Sequence, residues 1–330
     1  MRLIAFLFLF AAIGPVFAEE ATSVGIKVSD GVIEFTHGKN LAGKYHYGKE
    51  VAKPYFYPLN APPEVTVTRG WPMVKGLPKE TTDHPHQKSA WFCHGDVIPE
   101  GIELKTKSKD IHVKGVDFWS EQPGHGKIEC VSASQTSAKN NTVSVSTTNE
   151  WKSADGVKIL DETRVIKFSV AGDARLFTVE IDIHASVCPL TFGDTKEGSF
   201  GVRVNDEIKA KGGNGYYANA QGKKNEKDVW GHLSDWNDYV GKIGDTTAGI
   251  AVFDDSSNKY RACWHSREYG LMAANPFGRN VAGFPDLKGK TDLVKLDKGE
   301  HLKLRYGILL HAGDTETAKV AEHYKTFMGK

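Results

Sequence analysis

Phe177-Thr178-Val179-Glu180-Ile181-Asp182-Ile183-His184 is the stretch that decides the fold class of this chain. Apolar and polar side chains alternate at every step, which predicts a β-strand with one buried face and one face in water. The same alternation recurs in three further segments, Val143–Ser146, Glu162–Val170 and Leu302–Tyr306. Shorter runs rich in strand-forming residues occupy positions 24–28, 32–35, 54–59, 65–68 and 248–253.

Turn-forming clusters separate these predicted strands. Ser29-Asp30-Gly31, Ala154-Asp155-Gly156 and Ala171-Gly172-Asp173 are typical examples. Because no helical segments separate successive strands, the sequence argues against a βαβ arrangement. We therefore predict a mostly β protein, built as a large antiparallel β-sandwich.

One helix is predicted, near the end of the chain. After Gly313, the carboxylate of Asp314 can accept hydrogen bonds from the free amides of a first helical turn. Val320, Tyr324 and Phe327 follow at helical spacing and would form an apolar stripe. We expect this stripe to pack on the sandwich.

The first residues of the chain predict a secretory signal peptide. Arg2 supplies one positive charge, an apolar run extends from Leu3 to Val16, and Ala18 supplies a small side chain before the cleavage site. The run is shorter than the roughly 20 residues of a spanning helix. We expect cleavage after residue 18 and export of residues 19–330 as one soluble β-sandwich domain, periplasmic or extracellular. No later stretch is apolar enough to predict a membrane span.

The charge balance narrows the classes of partner. The chain has 42 Lys and Arg residues against 41 Asp and Glu residues, with a formal net charge of +1. A nucleic-acid binder needs a basic surface to neutralise phosphates, so this composition argues against nucleic acid as a partner. It also provides no polybasic segment for a membrane surface.

The four cysteines leave the disulfide state open. Export would permit disulfides, and four cysteines allow three pairings. Each cysteine lies within or beside an apolar run, which is typical of buried free thiols that behave as small hydrophobes. These residues are Cys93, Cys130, Cys188 and Cys263.

The segment from Leu77 to Gly126 differs from the rest of the chain. It is rich in His, Lys, Pro and Gly and poor in alternation, so we predict long loops, where binding and chemistry concentrate. Its centre holds three histidines within fourteen residues: His84, His86 and His94. Imidazoles this close can act as metal ligands, as acid–base groups or as hydrogen-bond partners of sugar hydroxyls.

A divalent metal is the cofactor that these three histidines could hold, although no cofactor is firmly indicated. Zinc-type sites need a third ligand at suitable spacing from a His-x-His pair. His94, Asp96 or Glu121 could supply it here. Ordinary hydrogen bonding within a loop is the third interpretation, and the sequence leaves all three open.

Two further clusters carry polar and aromatic residues. In the first, Glu197 lies in a glycine-flanked turn before Arg203, where a carboxylate could act as a general base near a cation. The second spans the last third of the chain, where exposed aromatic rings could stack on sugars. Its candidate residues are Trp236, Asp238, Tyr239, His265, Arg267, Tyr269 and Asn275.

At these clusters the sequence resembles the PmoA-like family of secreted bacterial proteins, which is named after a methane oxygenase. The segments that carry the resemblance are Asp83–His86, Trp91–Asp96, Val116–Trp119, Glu150–Trp151, Gly193–Gly198 and Trp264–Gly270. The resemblance implies a large β-sandwich like that of galactose mutarotase and related sugar enzymes. In those enzymes a carboxylate base and a histidine acid act on opposite sides of a sugar ring carbon.

Our leading hypothesis is an exported enzyme that acts on a glycan or oligosaccharide by His/Glu acid–base chemistry. Whether it is a hydrolase, a lyase or an epimerase stays open. The predicted catalytic residues are His84, His86, His94 and Glu197. The predicted substrate-binding residues are Asp83, Arg203, Trp236, Asp238, Tyr239, His265, Arg267, Tyr269 and Asn275. The alternatives are a non-catalytic carbohydrate-binding protein and a metal-dependent redox or hydrolytic enzyme.

Overall fold

A computed structural model of the protein describes residues 24–139 and 141–329. The predicted signal peptide, residues 1–18, lies outside the described residues. Twenty β-strands dominate the described part, and they pair antiparallel in three sheets. None of its helices combines the length and the hydrophobicity needed to cross a bilayer.

The strands follow one another along the chain with few helical interruptions. In chain order they are β1 (Val24–Ser29), β2 (Val32–His37), β3 (Asn40–His46), β4 (Tyr55–Ala61), β5 (Val65–Thr66), β6 (Ala90–His94), β7 (Val97–Pro99), β8 (Lys127–Lys139), β9 (Thr142–Lys152), β10 (Lys158–Ala171), β11 (Ala174–His184), β12 (Leu190–Phe192), β13 (Gly198–Arg203), β14 (Tyr216–Asn219), β15 (Trp236–Ile243), β16 (Thr246–Asp254), β17 (Cys263–Trp264), β18 (Leu271–Asn275), β19 (Val294–Leu296) and β20 (His301–Ala312). The helical segments are α1 (Glu226–Val229), a 3-10 turn (Pro285–Leu287) and α2 (Val320–Phe327).

Two large sheets face each other and enclose the main hydrophobic core. One has the order β1-β2-β3-β4-β6-β13-β18-β17, with β5 paired to β4, and the other has the order β14-β15-β16-β20-β11-β10-β9-β8. The Phe35 ring of the first sheet lies 5.2 Å from the Phe177 ring of the second. Phe200 and Tyr306 meet in the same way at 4.8 Å. The predicted antiparallel sandwich is confirmed; a small third sheet, β19-β12-β7, adjoins it.

The four alternating segments of the sequence form neighbouring strands. They lie in β9, β10, β11 and β20, which are adjacent in the eight-stranded sheet. Phe168 and Phe177 pair across β10 and β11 on the buried face. On the other face Lys167 and Glu180 form an exposed ion pair at 2.6 Å. The alternation arises because this sheet has one face in the core and one in water.

Strands β6, β13 and β18 differ because both of their faces are buried. Phe92 points inward, where its ring lies 6.1 Å from that of Trp151. The preceding side chain, Trp91, points to the outer face and packs against Trp119 at 5.0 Å. Loops therefore cover the outer face of this sheet, and the side chains with candidate chemistry lie among them.

The C-terminal helix packs as the sequence predicts, although it begins later. Val320, Tyr324 and Phe327 are buried, and the last two rings lie 5.5 Å from the ring of Phe253. Asp314 accepts hydrogen bonds from amides of the turn that precedes α2, not from the helix itself. The helix starts at Val320, after a residue without a side-chain cap.

A second helix, α1, was not predicted. It has four residues and its Asn225 side chain accepts a hydrogen bond from the amide of Asp228. Such a short segment presents too little periodicity to be recognised in the sequence.

All four cysteines are free thiols. Cys93, Cys188 and Cys263 are buried, as expected for cysteines that behave as small hydrophobes, whereas Cys130 is partly exposed.

Candidate functional site

A cleft of about 1020 Å³ opens on the outer face of the nine-stranded sheet, above β6, β13 and β18. Its walls are built from residues 84–87, 108–122, 193–197, 265–269 and 281–293. The first two of these segments belong to the stretch 77–126, whose described backbone contains only the short strands β6 and β7. The prediction of long loops in this stretch is confirmed, and these loops supply much of the cleft wall.

Six of the predicted site residues line this cleft. They come from three separate parts of the chain and meet because β6, β13, β18 and β17 are neighbours in the sheet. The six are His84, His86, Glu197, His265, Arg267 and Tyr269.

Glu197 stands immediately before β13 and is partly exposed to the cleft. Its backbone carbonyl accepts a hydrogen bond from the amide of Gly95 at 2.7 Å. Position 95 favours glycine, because a Cβ there would lie only 2.7 Å from the same carbonyl oxygen. Its side chain accepts a hydrogen bond from Lys196 Nζ at 2.7 Å. Burial opposes ionisation, but the neighbouring His265 and Lys196 hold the pKa of Glu197 below its usual value. Glu197 is therefore ionised at neutral pH.

His265 is 3% exposed and reaches the cleft floor from the segment after β17. Its Nδ1 lies 2.9 Å from the carbonyl oxygen of Lys196. A carbonyl only accepts, so Nδ1 carries the proton and Nε2 carries the lone pair. No hydrogen bond to Nε2 is present within residues 24–139 and 141–329. Burial lowers the pKa of His265 to about 4, which leaves the imidazole neutral at pH 7.

His86 provides the second neutral imidazole. Burial, with the positive charge of Lys53, lowers its pKa to about 4. Its Nδ1 is buried and has no hydrogen-bond partner among the described residues. Buried polar atoms are normally satisfied, so this nitrogen stands out as an unpaired group beside the cleft. Glu197 is near enough to both His86 and His265 for its charge to affect their pKa values.

His84 is held in a constrained position on the cleft wall. Its backbone φ of +44° lies in a region that non-glycine residues seldom adopt, and such conformations cluster at functional sites. Its Nδ1 lies 2.6 Å from Asp83 Oδ2. Its ring stacks on that of Tyr269, which also lines the cleft.

Asp83 and Arg203, predicted to bind substrate, lie behind this wall instead. Arg203 is buried, does not line the cleft, and donates to Gln87 Oε1 at 2.7 Å and to Asp83 Oδ1 at 2.9 Å. Arg69 donates to the same Asp83 oxygen at 2.5 Å. Burial disfavours the charge on Asp83, but the two arginines and His84 hold its pKa well below the usual range. These residues position His84, and no local pattern predicts the pairing because Arg203 is 120 residues from Asp83.

His94 does not join the other histidines, which corrects the prediction of its catalytic or metal-binding role. Its side chain is 0% exposed, and its ring lies 4.8 Å from that of Phe277. One ring nitrogen, Nε2, lies 2.8 Å from the carbonyl oxygen of Gly193. Across the described ranges no group of three His, Cys, Asp or Glu side chains is arranged to hold a metal ion. His84, His86 and His94 therefore do not form the predicted metal site.

Asn275 and Tyr239 support the cleft from below and do not line it. Asn275 is buried and donates from Nδ2 to the carbonyl oxygen of Thr195 at 2.9 Å. Tyr239 donates its hydroxyl proton to the carbonyl oxygen of Arg267 at 2.6 Å. Both were predicted to bind substrate, and both instead fix the backbone of a segment that does line the cleft.

Trp236 and Asp238 lie away from the cleft, so the structure does not support their predicted role in substrate binding at this site. Asp238 is fully buried, accepts a hydrogen bond from Thr315 at 2.7 Å and pairs with His311 Nε2 at 3.0 Å. Trp236 is buried in the smaller cluster that covers the C-terminal helix. The sequence pattern around these residues, which we interpreted as exposed aromatics, belongs to buried strands.

Several cleft residues were not singled out from the sequence. Trp119 and Lys196 line the cleft and lie within two of the segments that carry the family resemblance, Val116–Trp119 and Gly193–Gly198, although neither residue was given a role. Lys53 does not line the cleft, but its charge acts on His86 and no sequence pattern indicated it. It is buried and donates to Glu121 Oε1 at 2.7 Å, across 68 residues of sequence.

No curated protein matches this sequence. Among solved structures, the GH36 alpha-galactosidases AgaA and AgaB from Geobacillus stearothermophilus are each 9% identical to this chain, with TM-scores of 0.41 and 0.45. The matches cover 90% and 89% of this chain but only 42% and 41% of those enzymes, so the chain spans less than half of their length. A galactose mutarotase related enzyme from Lactobacillus acidophilus is 10% identical, with a TM-score of 0.29, over 87% of this chain and 97% of that enzyme.

A protein-family model also matches the sequence, and it extends over nearly all of the described residues, from 32 to 325. The model is that of a family of unknown function, DUF6807, and this chain belongs to that family.

Proposed function

We propose that the protein is an exported enzyme that transfers protons on a glycan or oligosaccharide. The observation that carries this proposal is the convergence of one carboxylate and two imidazoles in one cleft. Neighbouring charges hold the pKa of the carboxylate below its usual value, and burial lowers the pKa of both imidazoles. Glu197 is the carboxylate, and His86 and His265 are the imidazoles. Groups whose surroundings separate their protonation states in this way are suited to acid–base work.

Each of the three groups has a distinct capacity. Glu197 is the general base, because it is ionised and its second carboxylate oxygen is not engaged by Lys196. His265 presents the lone pair of Nε2 and can accept a hydrogen bond from a sugar hydroxyl. His86 can donate from a ring N–H to an oxygen that gains negative charge, as neutral imidazoles do in other enzymes. Proton transfer by positioned groups typically contributes about 10²–10⁴-fold to a rate.

The cleft wall supplies apolar faces suited to sugar rings. The rings of Tyr269 and His84 are parallel and both line the cleft, where His84 is exposed and Tyr269 is partly exposed. Aromatic faces pack on the C–H face of a pyranose ring while polar groups take its hydroxyls. The volume of about 1020 Å³ exceeds what one monosaccharide needs, which favours an oligosaccharide or a glycan chain.

A non-catalytic carbohydrate-binding protein is the second candidate. One observation favours it: with pKa values of about 4, neither His86 nor His265 is a charged acid at neutral pH. Glycan binding without turnover, retained in His86→Ala and Glu197→Gln, would favour this alternative over the enzyme.

Metal-dependent redox or hydrolytic chemistry does not fit the donor groups. His84 and His86 have ring centroids 5.7 Å apart, and the described chain brings no third ligand to them. Kinship with the PmoA-like family is part of the proposal, without an oxygenase activity. Export after residue 18 and a single domain over residues 19–330 are part of the same proposal, since the apolar run Leu3–Val16 supports secretion.

The proposal is tested by incubating the purified protein with a panel of neutral, acidic and keto-sugar oligosaccharides, with and without divalent metals. We expect one or more of these compounds to be converted by the wild-type protein and not by Glu197→Gln. The matched control is Glu322→Gln, because that carboxylate is 67% exposed on α2, outside the residues that line the cleft. A panel that is neither converted nor bound would refute both carbohydrate functions.

A further inference from the structure

We propose that the protein has a second binding site, separate from the cleft, for an oxyanion such as sulfate, phosphate or a carboxylate group. The site is a pocket of about 230 Å³, which we call the basic pocket. It is lined by Leu233, Lys259, Tyr260, Arg261, Arg279, Leu287, Lys290 and Asp292. Four of these eight residues are cations and one is a carboxylate.

Arg279 is the main reason to expect an anion. Its side chain is 6% exposed, and its guanidinium donates to the carbonyl oxygens of Pro276 and Gly278, each at 2.8 Å, and of Asp292 at 3.2 Å. Its guanidinium has no carboxylate within 4.0 Å in the described part of the chain. A buried charge without a counter-charge is costly, and a bound anion would supply that counter-charge.

Lys259 and Lys290 add two further unneutralised charges at the mouth of the pocket. Both side chains are exposed, and neither forms an ion pair with any residue that the structure describes. Lys259 Nζ lies 5.4 Å from the ring centroid of Tyr260, and the Arg279 guanidinium lies 5.9 Å from the same centroid. Tyr260 thus holds two like charges near one ring, which an anion between them would stabilise.

Arg261 contributes little unneutralised positive charge to the basic pocket. Its guanidinium is already paired with Asp254 and with Asp235, each at 2.8 Å. The single carboxylate of the lining, Asp292, leaves an excess of positive charge from Lys259, Lys290 and Arg279. A planar guanidinium with two flexible ammonium groups matches the geometry of a tetrahedral or planar oxyanion.

The basic pocket and the cleft share one wall. The segment 279–293 contributes Arg279, Lys290 and Asp292 to the pocket, and Val281 and Leu293 to the cleft. The side chain of Asp194 ties this segment to the cleft loop by accepting hydrogen bonds from the amides of residues 279, 281 and 282 at 2.6 to 2.9 Å. Because the basic pocket adjoins the cleft, the bound oxyanion has two potential sources: a free inorganic ion, or a charged group on a glycan.

The test is titration calorimetry of the purified protein with sodium sulfate and sodium phosphate, at constant ionic strength set by sodium chloride. We compare wild type with the double variant Lys259→Glu/Lys290→Glu. Both lysines are exposed, so the variant should fold. The matched control is Lys288→Glu/Lys295→Glu, which changes the same charge on exposed neighbours outside the pocket.

We expect saturable binding in wild type and in the control, and an affinity weaker by at least about tenfold in the double variant. The site is refuted if wild type shows no saturable binding, or if both double variants lose affinity equally. A sulfated oligosaccharide and its desulfated counterpart then identify the source. If the sulfated form binds more tightly than inorganic sulfate and loses this advantage in Lys259→Glu/Lys290→Glu, the oxyanion belongs to a glycan. Equal affinities would support the site as one for a free ion.

Discussion

The imidazole ring of His84 lies parallel to the phenol ring of Tyr269, with centroids 5.3 Å apart and an interplanar angle of 4°. Each ring is held by a charged partner. Asp83 Oδ2 fixes His84 Nδ1 at 2.6 Å, and the Arg203 guanidinium lies 4.6 Å from the centroid of Tyr269. The exposed His84 ring is therefore held in place by Asp83 and Tyr269 before any ligand arrives, which lowers the entropy cost of binding.

Removing the Tyr269 ring should weaken oligosaccharide binding. Tyr269→Ala removes one of the two stacked rings and the support that it gives to the His84 ring, so we expect affinity to fall by about 1–2 kcal/mol, or roughly tenfold. Tyr269→Phe is the matched control, because it keeps the ring and removes only the hydroxyl that accepts a 3.4 Å hydrogen bond from Gln87. Titration calorimetry with a ligand from the glycan panel measures the difference. An equal loss in both variants would contradict a role for stacking.

The pH dependence of turnover should reflect neutral imidazoles. Burial lowers the pKa of both His86 and His265 to about 4, and the pKa of Glu197 also lies below its ordinary value. Above these pKa values Glu197 stays ionised and both imidazoles stay neutral. We therefore expect kcat/KM to be constant from about pH 5.5 to 8 and to fall toward pH 4. Initial rates across this range, with thermal unfolding followed in parallel, provide the measurement. An increase in kcat/KM between pH 7 and 5 would indicate a protonated imidazole acid and contradict this mechanism.

The strands that could be predicted most clearly from the sequence are those with one face buried and one face in solvent. The alternation from Phe177 to His184 is visible because its polar positions point to solvent. β6 and β13 carry no alternation, since loops bury their outer faces, and the sequence could not order them in the sheet. The site lies on those strands, so the least predictable part of the fold is the part that positions it.

The sequence grouped candidate residues by proximity along the chain, and the structure separates some of those groups. His94 is eight residues from His86, but its side chain is buried and does not line the cleft. Successive side chains of β6 point to opposite faces of the sheet. Asp238 was grouped with exposed aromatics but is fully buried beside His311. Long-range strand pairing, which no local pattern encodes, brings His86, Glu197 and His265 to the same cleft.

Arg203 should be needed for stability as well as for the position of His84. Its fork of donors engages Gln87 and Asp83 together, and a lysine ammonium cannot reproduce that geometry. We expect Arg203→Lys to lower the free energy of unfolding by about 1–3 kcal/mol, because it leaves the buried Gln87 acceptor unsatisfied, whereas Asp83 keeps its bond to Arg69. The partly exposed Arg267→Lys is the control, with an expected change below about 1 kcal/mol. Urea unfolding measures both. Identical midpoints for wild type and Arg203→Lys would show that the buried network is dispensable.

The buried pair of His311 and Asp238 should make stability depend on pH. Burial disfavours the charged imidazole, but the carboxylate of Asp238 at 3.0 Å raises the pKa of His311 above its ordinary value. A histidine whose folded pKa is raised contributes stability below its unfolded pKa of about 6.5 and loses that contribution as pH rises through the folded value. In Asp238→Asn this contribution is absent at every pH.

The excess stability of wild type over Asp238→Asn should therefore be largest near pH 6, at about 2–4 kcal/mol, and should shrink toward pH 9. Urea unfolding at several pH values gives this difference directly. Asp182→Asn is the matched control, because Asp182 pairs with His301 at 2.8 Å on the surface, where solvent screening should hold the effect below about 1 kcal/mol. A difference for Asp238→Asn that does not vary with pH would mean that His311 is not charged in the native state. Glycan affinity of the folded Asp238→Asn protein should equal that of wild type, because Asp238 lies outside the cleft.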